Sequence, residues 1–321
     1  MKLAVLYQPT PAHPMVLRDE HIEALSRAVP ELETVRCTSE EELLARCPDA
    51  DILFCWGRDT PERWVSGAGS LKWIQALSAG IDGFEPLRTL RPGLRISKIA
   101  GIHGIPMAES ALMYILMFLC GMPRLMANKA RHLWEKPLSP APDDCWQKTV
   151  GIVGMGDIGS HVAEKCKAFG LTVLGCRRHP TPMANVDEML PLTELDSLLE
   201  RSDFVLCLVP LTAESVHMFG EREFRKMKPS AVFMNMGRGP VVDEAALVRA
   251  LRAGELRGAA LDAFETEPLP PDSPLWDMEN VILTPHCSAD TPFYFDRALP
   301  LLCENLRDFA AGKTMRTEVV Y

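Results

Sequence analysis

The chain has 321 residues, 47% of them apolar and 24% charged, with a formal charge of −9, a globular composition long enough for two ordinary domains. Its acidic balance and the lack of any dense basic run exclude a nucleic-acid-binding surface of the usual kind. Its ten cysteines are scattered without a C-x-x-C pair, which fits a reduced, cytoplasmic setting and excludes a disulfide framework; no metal site is expected.

In chain order, Lys2–Tyr7 is predicted as a strand, too short for a signal-peptide core and closed by the turn-rich Gln8–Pro14. The spacing of Ile22, Leu25 and Val29 predicts a helix over Asp19–Ala28. Leu32–Arg36 reads as a strand. Ser39–Arg46 reads as a helix, because Ser39 lies three before Glu42, the capping-box spacing. Asp51–Trp56, Leu71–Leu77 and Leu94–Ile99 are further strands, the second ending in Ser78-Ala79-Gly80-Ile81-Asp82-Gly83. Strands alternating with helices predict a first doubly wound parallel domain, and it has no G-x-G-x-x-G of its own. Ile105-Pro106 opens a helix that is too apolar through Met107–Cys120 to leave a face exposed. The run Ala111–Met122 is too short to span a bilayer, and no membrane association is expected. Gly121-Met122-Pro123 interrupts the helix, a second one runs to about Trp134, and Glu135–Cys145 is a proline-rich loop.

The next stretch organises everything after it. Thr149–Gly159 reads T-V-G-I-V-G-M-G-D-I-G: a β-branched strand, then Gly154, Gly156 and Gly159 in the spacing G-x-G-x-x-G, then a helix from Ile158 to Phe169. The first glycine permits a tight turn, the second a close backbone approach to a pyrophosphate, and the third close helix–strand packing. The helix N-terminus then offers free N–H groups to the phosphates. Strands follow at Leu171–Cys176, Phe204–Val209, Ala231–Met236, Gly258–Ala263 and Val281–Leu283. Helices are predicted at Leu192–Leu199 capped by Thr193, Glu221–Met227, Asp243–Ala253 capped by Asp243, and Thr291–Ala311 interrupted by Pro300, before a tail at Thr314–Tyr321. In an open parallel sheet, ligands bind beyond the carboxyl ends of the strands. Arg238, Asp262 and His286 each follow such an end, with Glu267 five residues past Asp262. A cation, carboxylates and a histidine beside a pyrophosphate site make an acid–base and anion-binding centre.

These residues resemble the D-isomer-specific 2-hydroxyacid dehydrogenase family over nearly the whole chain. The resemblance rests on Ser78-Ala79-Gly80-Ile81-Asp82, Pro106-Met107-Ala108-Glu109, the Gly154–Gly159 turn, Val209-Pro210-Leu211-Thr212, Asn235-Met236-Gly237-Arg238-Gly239, Asp262-Ala263-Phe264 through Glu267-Pro268-Leu269, and Thr284-Pro285-His286. It implies two doubly wound parallel-sheet α/β domains. A Rossmann cofactor domain, 101–287, is inserted into a flavodoxin-like substrate domain made of 1–100 and 288–321, with the active site in the cleft and a homodimer formed through the helices after Gly101.

The same resemblance implies the site. His286 is the acid/base that protonates the keto oxygen during reduction, a role suited to a side chain titrating near neutrality, and Glu267 orients it and favours its charged form. Arg238 grips the substrate carboxylate with a planar fork that lysine does not reproduce. The N–H groups of Ala79 and Gly80 hold the other carboxylate oxygen, and Trp56 is a further expected substrate contact. Asp262 binds the nicotinamide amide. Cofactor contacts extend to Met107, Met155, Gly156, Asp157, Ile158, Val209, Pro210, Thr212, Met236, Gly237, Ser288 and Ala289. His103 is a rival histidine, in the hinge stretch Gly101-Ile102-His103-Gly104, which lacks the asparagine often seen in phosphoglycerate-type members.

The sequence departs from the NAD-binding pattern at one place. An acidic residue is needed about 20 positions beyond the glycines to hold the ribose hydroxyls, and here stand Cys176, Arg177 and Arg178. Two guanidiniums suit a 2′-phosphate. NADPH is therefore the expected cofactor, NADH the alternative, and reduction of a 2-keto acid the expected direction; small acids such as glyoxylate or hydroxypyruvate are candidate substrates, and so are bulkier 2-ketocarboxylates if Trp56, Leu77, Phe293 or Tyr294 line the pocket. A dinucleotide-sensing transcriptional partner of the same fold is disfavoured, because Arg238, Glu267 and His286 are all present. A third alternative keeps the cofactor domain for a different substrate class, such as phosphite or formate; a formate-type site needs extra carboxylate-positioning side chains that the sequence does not reveal.

Overall fold

The computed structural model describes residues 1–9, 15–57, 60–81, 84, 87 and 91–319; Asp82, within one of the quoted motifs, lies outside them. The chain divides into two compact units, one of Met1–Ile102 with Asp290–Tyr321, the other of His103–Ala289.

The first unit is built on β1 (Lys2–Leu6), β2 (Glu33–Cys37), β3 (Ile52–Cys55), β4 (Trp73–Ala76) and β5 (Arg95–Ser97). All pair in parallel in the order β2-β1-β3-β4-β5, which is the flavodoxin-like arrangement. The central strands β3 and β4 are buried along their whole length, as strands covered on both faces must be. Phe54 and Trp73, both fully buried, meet edge to face at 5.4 Å, each contributing roughly 1.5–3 kcal/mol by leaving water. The helices are α1 (Asp19–Ala28), α2 (Glu40–Arg46) and α3 (Glu62–Gly67). Ser39 caps α2 by accepting from the Glu42 N–H at 3.3 Å. The Glu42 carboxylate reaches back to Thr38 N at 2.7 Å instead of Ser39, so the expected box is displaced outward by one residue.

The second unit holds helix α4 (Gly104–Leu119), α5 (Met122–Ala130), β6 (Thr149–Val153), α6 (Asp157–Ala168), β7 (Thr172–Arg177) and β8 (Glu188–Pro191), then α7 (Leu195–Arg201), β9 (Phe204–Cys207), α8 (Glu221–Lys226), β10 (Val232–Asn235), α9 (Glu244–Ala253), β11 (Gly258–Leu261) and β12 (Val281–Leu283). The seven strands are parallel in the order β12-β11-β10-β9-β6-β7-β8. Counted from β6, this is the doubly wound dinucleotide-binding order with one strand added at the far edge, and its switch point lies between β6 and β9. Asp243 caps α9 by accepting from Ala246 N at 2.8 Å, worth about 1 kcal/mol. Gly254, at φ +70°, ends the helix.

Four expectations are corrected in this unit. Strand β8 was not anticipated: E-M-L-P is short, has no β-branched residue and ends in proline. Leu192–Glu194 forms a 3₁₀ turn and α7 begins after Glu194, so Thr193 is not its cap. Helix α5 stops at Ala130, four residues short of Trp134, and His132 stands just beyond it at φ +56°. Helix α4 does have an exposed face, since Ile105 and Met113 are each 42% exposed.

The last helix, α10 (Tyr294–Ala310), returns to the first unit and packs on α1. It begins at Tyr294 and runs through Pro300 without a break. Pro300 is exposed, so the hydrogen bond it removes is one whose acceptor water can satisfy, while Tyr294, Phe295, Ala298, Leu301, Leu302 and Leu306 bury the opposite face. The tail is not loose either. Glu318 pairs with Ser97 at the sheet edge, Val319 N donates to Ile96 O at 2.8 Å, and Arg95 binds the Glu318 carboxylate at 2.6 Å.

Candidate active site

The parallel register lines up one row across the larger sheet: Cys176 opposite Val153, Val153 opposite Cys207, Cys207 opposite Asn235, Asn235 opposite Leu261, and Leu261 opposite Leu283. The residues that leave the sheet next therefore emerge side by side on one edge. They begin the glycine turn, the Arg177-Arg178 turn, the Val209–Thr212 loop, the Gly237–Arg238 turn, the Asp262–Glu267 segment and the Thr284–His286 turn.

Gly154 starts its turn at φ +103°, and a Cβ there would stand 2.7 Å from the Leu208 carbonyl carbon, so only glycine fits. At Gly156 a Cβ would meet nothing within 4 Å, whereas at Gly159 it would press on Gly154 O at 3.1 Å. Gly156 is also the N-cap of α6 and supplies no side-chain cap, which leaves the first-turn N–H groups of Asp157, Ile158 and Gly159 without an intrahelical partner. These residues fit a dinucleotide pyrophosphate. Met155 is buried beneath the turn, and Met107 and Met236 lie in the same apolar cluster.

Next to the glycine turn, β7 ends in Cys176-Arg177 and Arg178 follows it. Cys176 presents no side chain here: it is fully buried, its thiol facing Pro191 O at 3.5 Å, and burial pushes its pKa up to about 11. It contributes its carbonyl, which accepts from Gly154 N at 3.0 Å. Arg177 is half-buried and faces the Met183 thioether at 3.8 Å. Arg178 is exposed and pairs with Glu214 at 2.5 Å. A carboxylate thus does reach this corner, carried by the loop after β9, 36 residues downstream in the chain. That loop is shaped by Ser215, 5% exposed, whose hydroxyl donates to Pro210 O at 2.8 Å and accepts from Thr212 N at 2.7 Å. Ser215 was not singled out from sequence, although its position three after Thr212 was the available sign. Val209 is half-buried, and Pro210 and Thr212 are exposed.

Arg238 is half-buried between two glycines. A Cβ on Gly239 would fall 1.8 Å from Phe264 O, so the arginine turn and the Asp262–Glu267 segment are in backbone contact. The buried Asn235 side chain braces this by donating to Arg238 O at 3.2 Å and Ala263 O at 3.3 Å. The guanidinium folds back on Gly237 O at 3.0 Å.

His286 stands at φ +54°, a backbone region that a non-glycine residue occupies only under tertiary constraint. Its Nδ1 lies 2.9 and 3.0 Å from the two Glu267 oxygens. Since a carboxylate only accepts, Nδ1 carries the shared proton and Nε2 is the ring atom left to face a substrate. Glu267 Oε1 also accepts from Phe264 N at 3.1 Å. Asp262, 2% exposed, is bound to the same loop: its Oδ1 accepts from the Thr284 hydroxyl at 2.7 Å and from Cys287 N at 3.0 Å. Ser288 is buried, with Ala289 half-buried beside it. His103, 6% exposed, lies at the N-cap position of α4.

The remaining expected residues belong to the smaller unit, at the carboxyl ends of β3 and β4 and at the start of α10. Trp56 is half-buried, its ring 6.2 Å from that of Tyr7 and 5.8 Å from that of Tyr294. The turn with Ala79 and Gly80, both half-buried, is closed by Ser78 Oγ donating to Gly80 O at 2.7 Å. Of the four pocket residues expected, Leu77 is fully buried and Tyr294 is 2% exposed, its hydroxyl donating to Leu77 O at 3.0 Å; burial raises the pKa of that hydroxyl far above its ordinary value. Only Trp56 and the 58%-exposed Phe293 have side-chain surface to offer.

A seven-stranded parallel sheet with a pyrophosphate turn at its switch point, and with an arginine and a His–Glu pair on the same edge, defines a nicotinamide-dinucleotide oxidoreductase. Residues 112–288 match the family profile described as D-isomer specific 2-hydroxyacid dehydrogenase, NAD binding domain. The chain is 43% identical over 312 residues to glyoxylate/hydroxypyruvate reductase B of Citrobacter koseri, covering 96% of this chain and 95% of that one. Among solved structures it is similar to a D-isomer specific 2-hydroxyacid dehydrogenase family protein of Aeromonas salmonicida, with a TM-score of 0.88, 30% identity and coverage of 99% and 98%. It is likewise similar to the NADPH-dependent glyoxylate/hydroxypyruvate reductase of Sinorhizobium meliloti, solved with NADP and sulfate, with a TM-score of 0.81, 29% identity and coverage of 99% and 98%. The chain belongs to the D-isomer specific 2-hydroxyacid dehydrogenase family, as its motifs implied, and is an NAD(P)H-dependent 2-hydroxyacid oxidoreductase.

Proposed function

We propose that the protein reduces small 2-keto acids to D-2-hydroxy acids with NADPH as preferred cofactor, and that glyoxylate and hydroxypyruvate, the substrates in the names of its relatives, are among them. The observation that carries this is the His286–Glu267 pair, at 2.9 Å, on the strand edge that also bears Arg238 and the glycine turn. The preference for NADPH is supported by two guanidiniums at the end of β7, Arg177 and Arg178, next to that turn, and by the NADP bound in the Sinorhizobium meliloti relative.

In this reading the bound nicotinamide supplies the hydride that adds to the keto carbon. With both ring nitrogens protonated, His286 Nε2 gives its proton to the keto oxygen as that oxygen gains charge, while Glu267 holds the ring through Nδ1–H. Arg238 binds one substrate carboxylate oxygen and polarises the adjacent carbonyl, and the N–H groups of Ala79 and Gly80 bind the other oxygen. Trp56 bounds the substrate side chain. Asp262, with Ser288 and Ala289 after it, serves the carboxamide end of the cofactor; Gly154–Gly159 and the Val209–Thr212 loop serve the pyrophosphate; Arg177 and Arg178 bind the 2′-phosphate. The smaller unit is the substrate domain and the larger the cofactor domain. A homodimer is part of the proposal, supported by Met126 at 53%, Leu133 at 51% and Trp134 at 91% exposure around α5, next to the exposed apolar stripe of α4. A cytoplasmic location is supported by ten cysteines that are all free. Among the described residues no single helix is long and apolar enough to cross a membrane.

The test is oxidation of NADPH, and separately of NADH, against 2-keto acids graded by size. Turnover strongest with the smallest acids and with NADPH is expected. A clear NADH preference removes the cofactor assignment, and no turnover with any 2-keto acid removes the reaction.

A further inference from the structure

The carboxylate of Asp262 does more than wait for a cofactor. Its Oδ1 accepts from Thr284 Oγ1 at 2.7 Å, Cys287 N at 3.0 Å and Ser288 N at 3.3 Å, while among the described residues Oδ2 takes only the shared Ser288 N–H at 3.2 Å. Thr284 has one hydroxyl proton, and the carboxylate can only accept, so that proton belongs to Asp262. The second contact of Thr284 Oγ1 is the Tyr114 hydroxyl at 2.6 Å, so there threonine accepts and tyrosine donates. Tyr114 lies on α4 and is 1% exposed. Burial pushes its pKa up to about 12, which keeps it a donor at any working pH. A one-way chain of donors thus runs from Tyr114 through Thr284 to Asp262. The donors to Asp262 flank His286 on both sides, and His286 is the residue held at φ +54°.

Resting on the functional reading above, we propose that Tyr114 and Thr284 are positioning residues for the reaction: their relay, with Asp262, clamps the 284–288 turn so that His286 meets Glu267, and saturates Oδ1 so that Oδ2 is the atom free for the carboxamide. Neither residue touches substrate. A half-satisfied buried network is worse than a complete one, so loss of either hydroxyl should slacken the turn without emptying the anion site at Arg238.

The experiment uses the full-length enzyme with glyoxylate and NADPH, and compares wild type with Thr284→Val, Thr284→Ser and Tyr114→Phe by kcat, KM for each substrate, NADPH Kd by fluorescence, and Tm. Thr284→Val should lose about tenfold in kcat, the size of one good hydrogen bond at the transition state, and weaken NADPH binding about threefold, with the keto-acid KM within twofold. Tyr114→Phe should show a smaller loss of the same pattern. Thr284→Ser, which keeps the hydroxyl, should return kcat to within twofold of wild type. The relay is overturned if Thr284→Val and Tyr114→Phe match wild type in kcat and NADPH affinity, or if Thr284→Ser is as impaired as Thr284→Val. Failure of the wild type to turn over would overturn the functional reading instead, and the NADPH affinities would still judge the relay.

Discussion

Removing Arg177 and Arg178 at the end of β7 tests the cofactor assignment quantitatively. A guanidinium bound to a phosphate contributes roughly 1.5–3 kcal/mol. Arg178 must first release Glu214, but with side-chain exposures of 63% and 75% that pair is worth at most about 1 kcal/mol. The net for Arg178 is therefore about 1–2 kcal/mol. Among the described residues Arg177 has only a thioether contact at 3.8 Å to give up, so its net is about 2 kcal/mol. At about 1.4 kcal/mol per decade, Arg178→Ala should lower kcat/KM for NADPH about tenfold, Arg177→Ala about thirtyfold, and the double variant by more than either. NADH, without the 2′-phosphate, should change less than twofold, and Glu214→Gln should improve NADPH two- to threefold by freeing Arg178. The assay is absorbance decay at saturating glyoxylate and fixed ionic strength, since salt screens exposed charges. A double variant with an unchanged NADPH/NADH ratio would refute the argument.

Two further outcomes follow from the geometry. Arg238→Lys should raise the keto-acid KM and slow turnover, together about 10- to 100-fold in kcat/KM, because a point charge replaces a planar fork; unchanged kinetics would remove Arg238 from the site. Native protein treated with a thiol reagent at pH 8 should leave Cys37, Cys166, Cys176 and Cys207, all buried, unlabelled. Cys37, Cys166 and Cys207 are pushed up to about 12 and Cys176 to about 11, chiefly by burial. Their thiolate fraction at pH 8 is therefore negligible and they should stay unlabelled until denaturant is added, a result checked by mass spectrometry.

Much of this was readable because parallel sheets write themselves into sequence as short apolar runs that each end in a turn. The glycine turn, Arg238, Asp262, Glu267 and His286 all sit at such ends, and one register row then brings them to one edge. What was not readable depends on contacts between distant positions. Glu214 meets Arg178 only because β9 and β7 flank β6. Tyr114 finds Thr284 across 170 residues, and nothing around Tyr114 in an apolar helix marks it as polar machinery. Local rules failed where tertiary packing overrode them. Pro300 is accommodated because it faces water, β8 forms from an unpromising E-M-L-P by pairing with β7, and α4 leaves apolar residues exposed where its composition predicted none. The positive φ of His286 has no sequence signature, because the constraint comes from the Asp262 carboxylate.

The most direct test of the central claim is single-turnover reduction of glyoxylate by NADPH in wild type and His286→Gln. Glutamine preserves a polar side chain of similar reach but cannot deliver a proton, and general acid catalysis contributes roughly 10²- to 10⁴-fold. Wild type should turn over, and the variant should be slowed by at least about 10²-fold while binding NADPH with unchanged Kd. A His286→Gln enzyme that keeps most of its rate would contradict it.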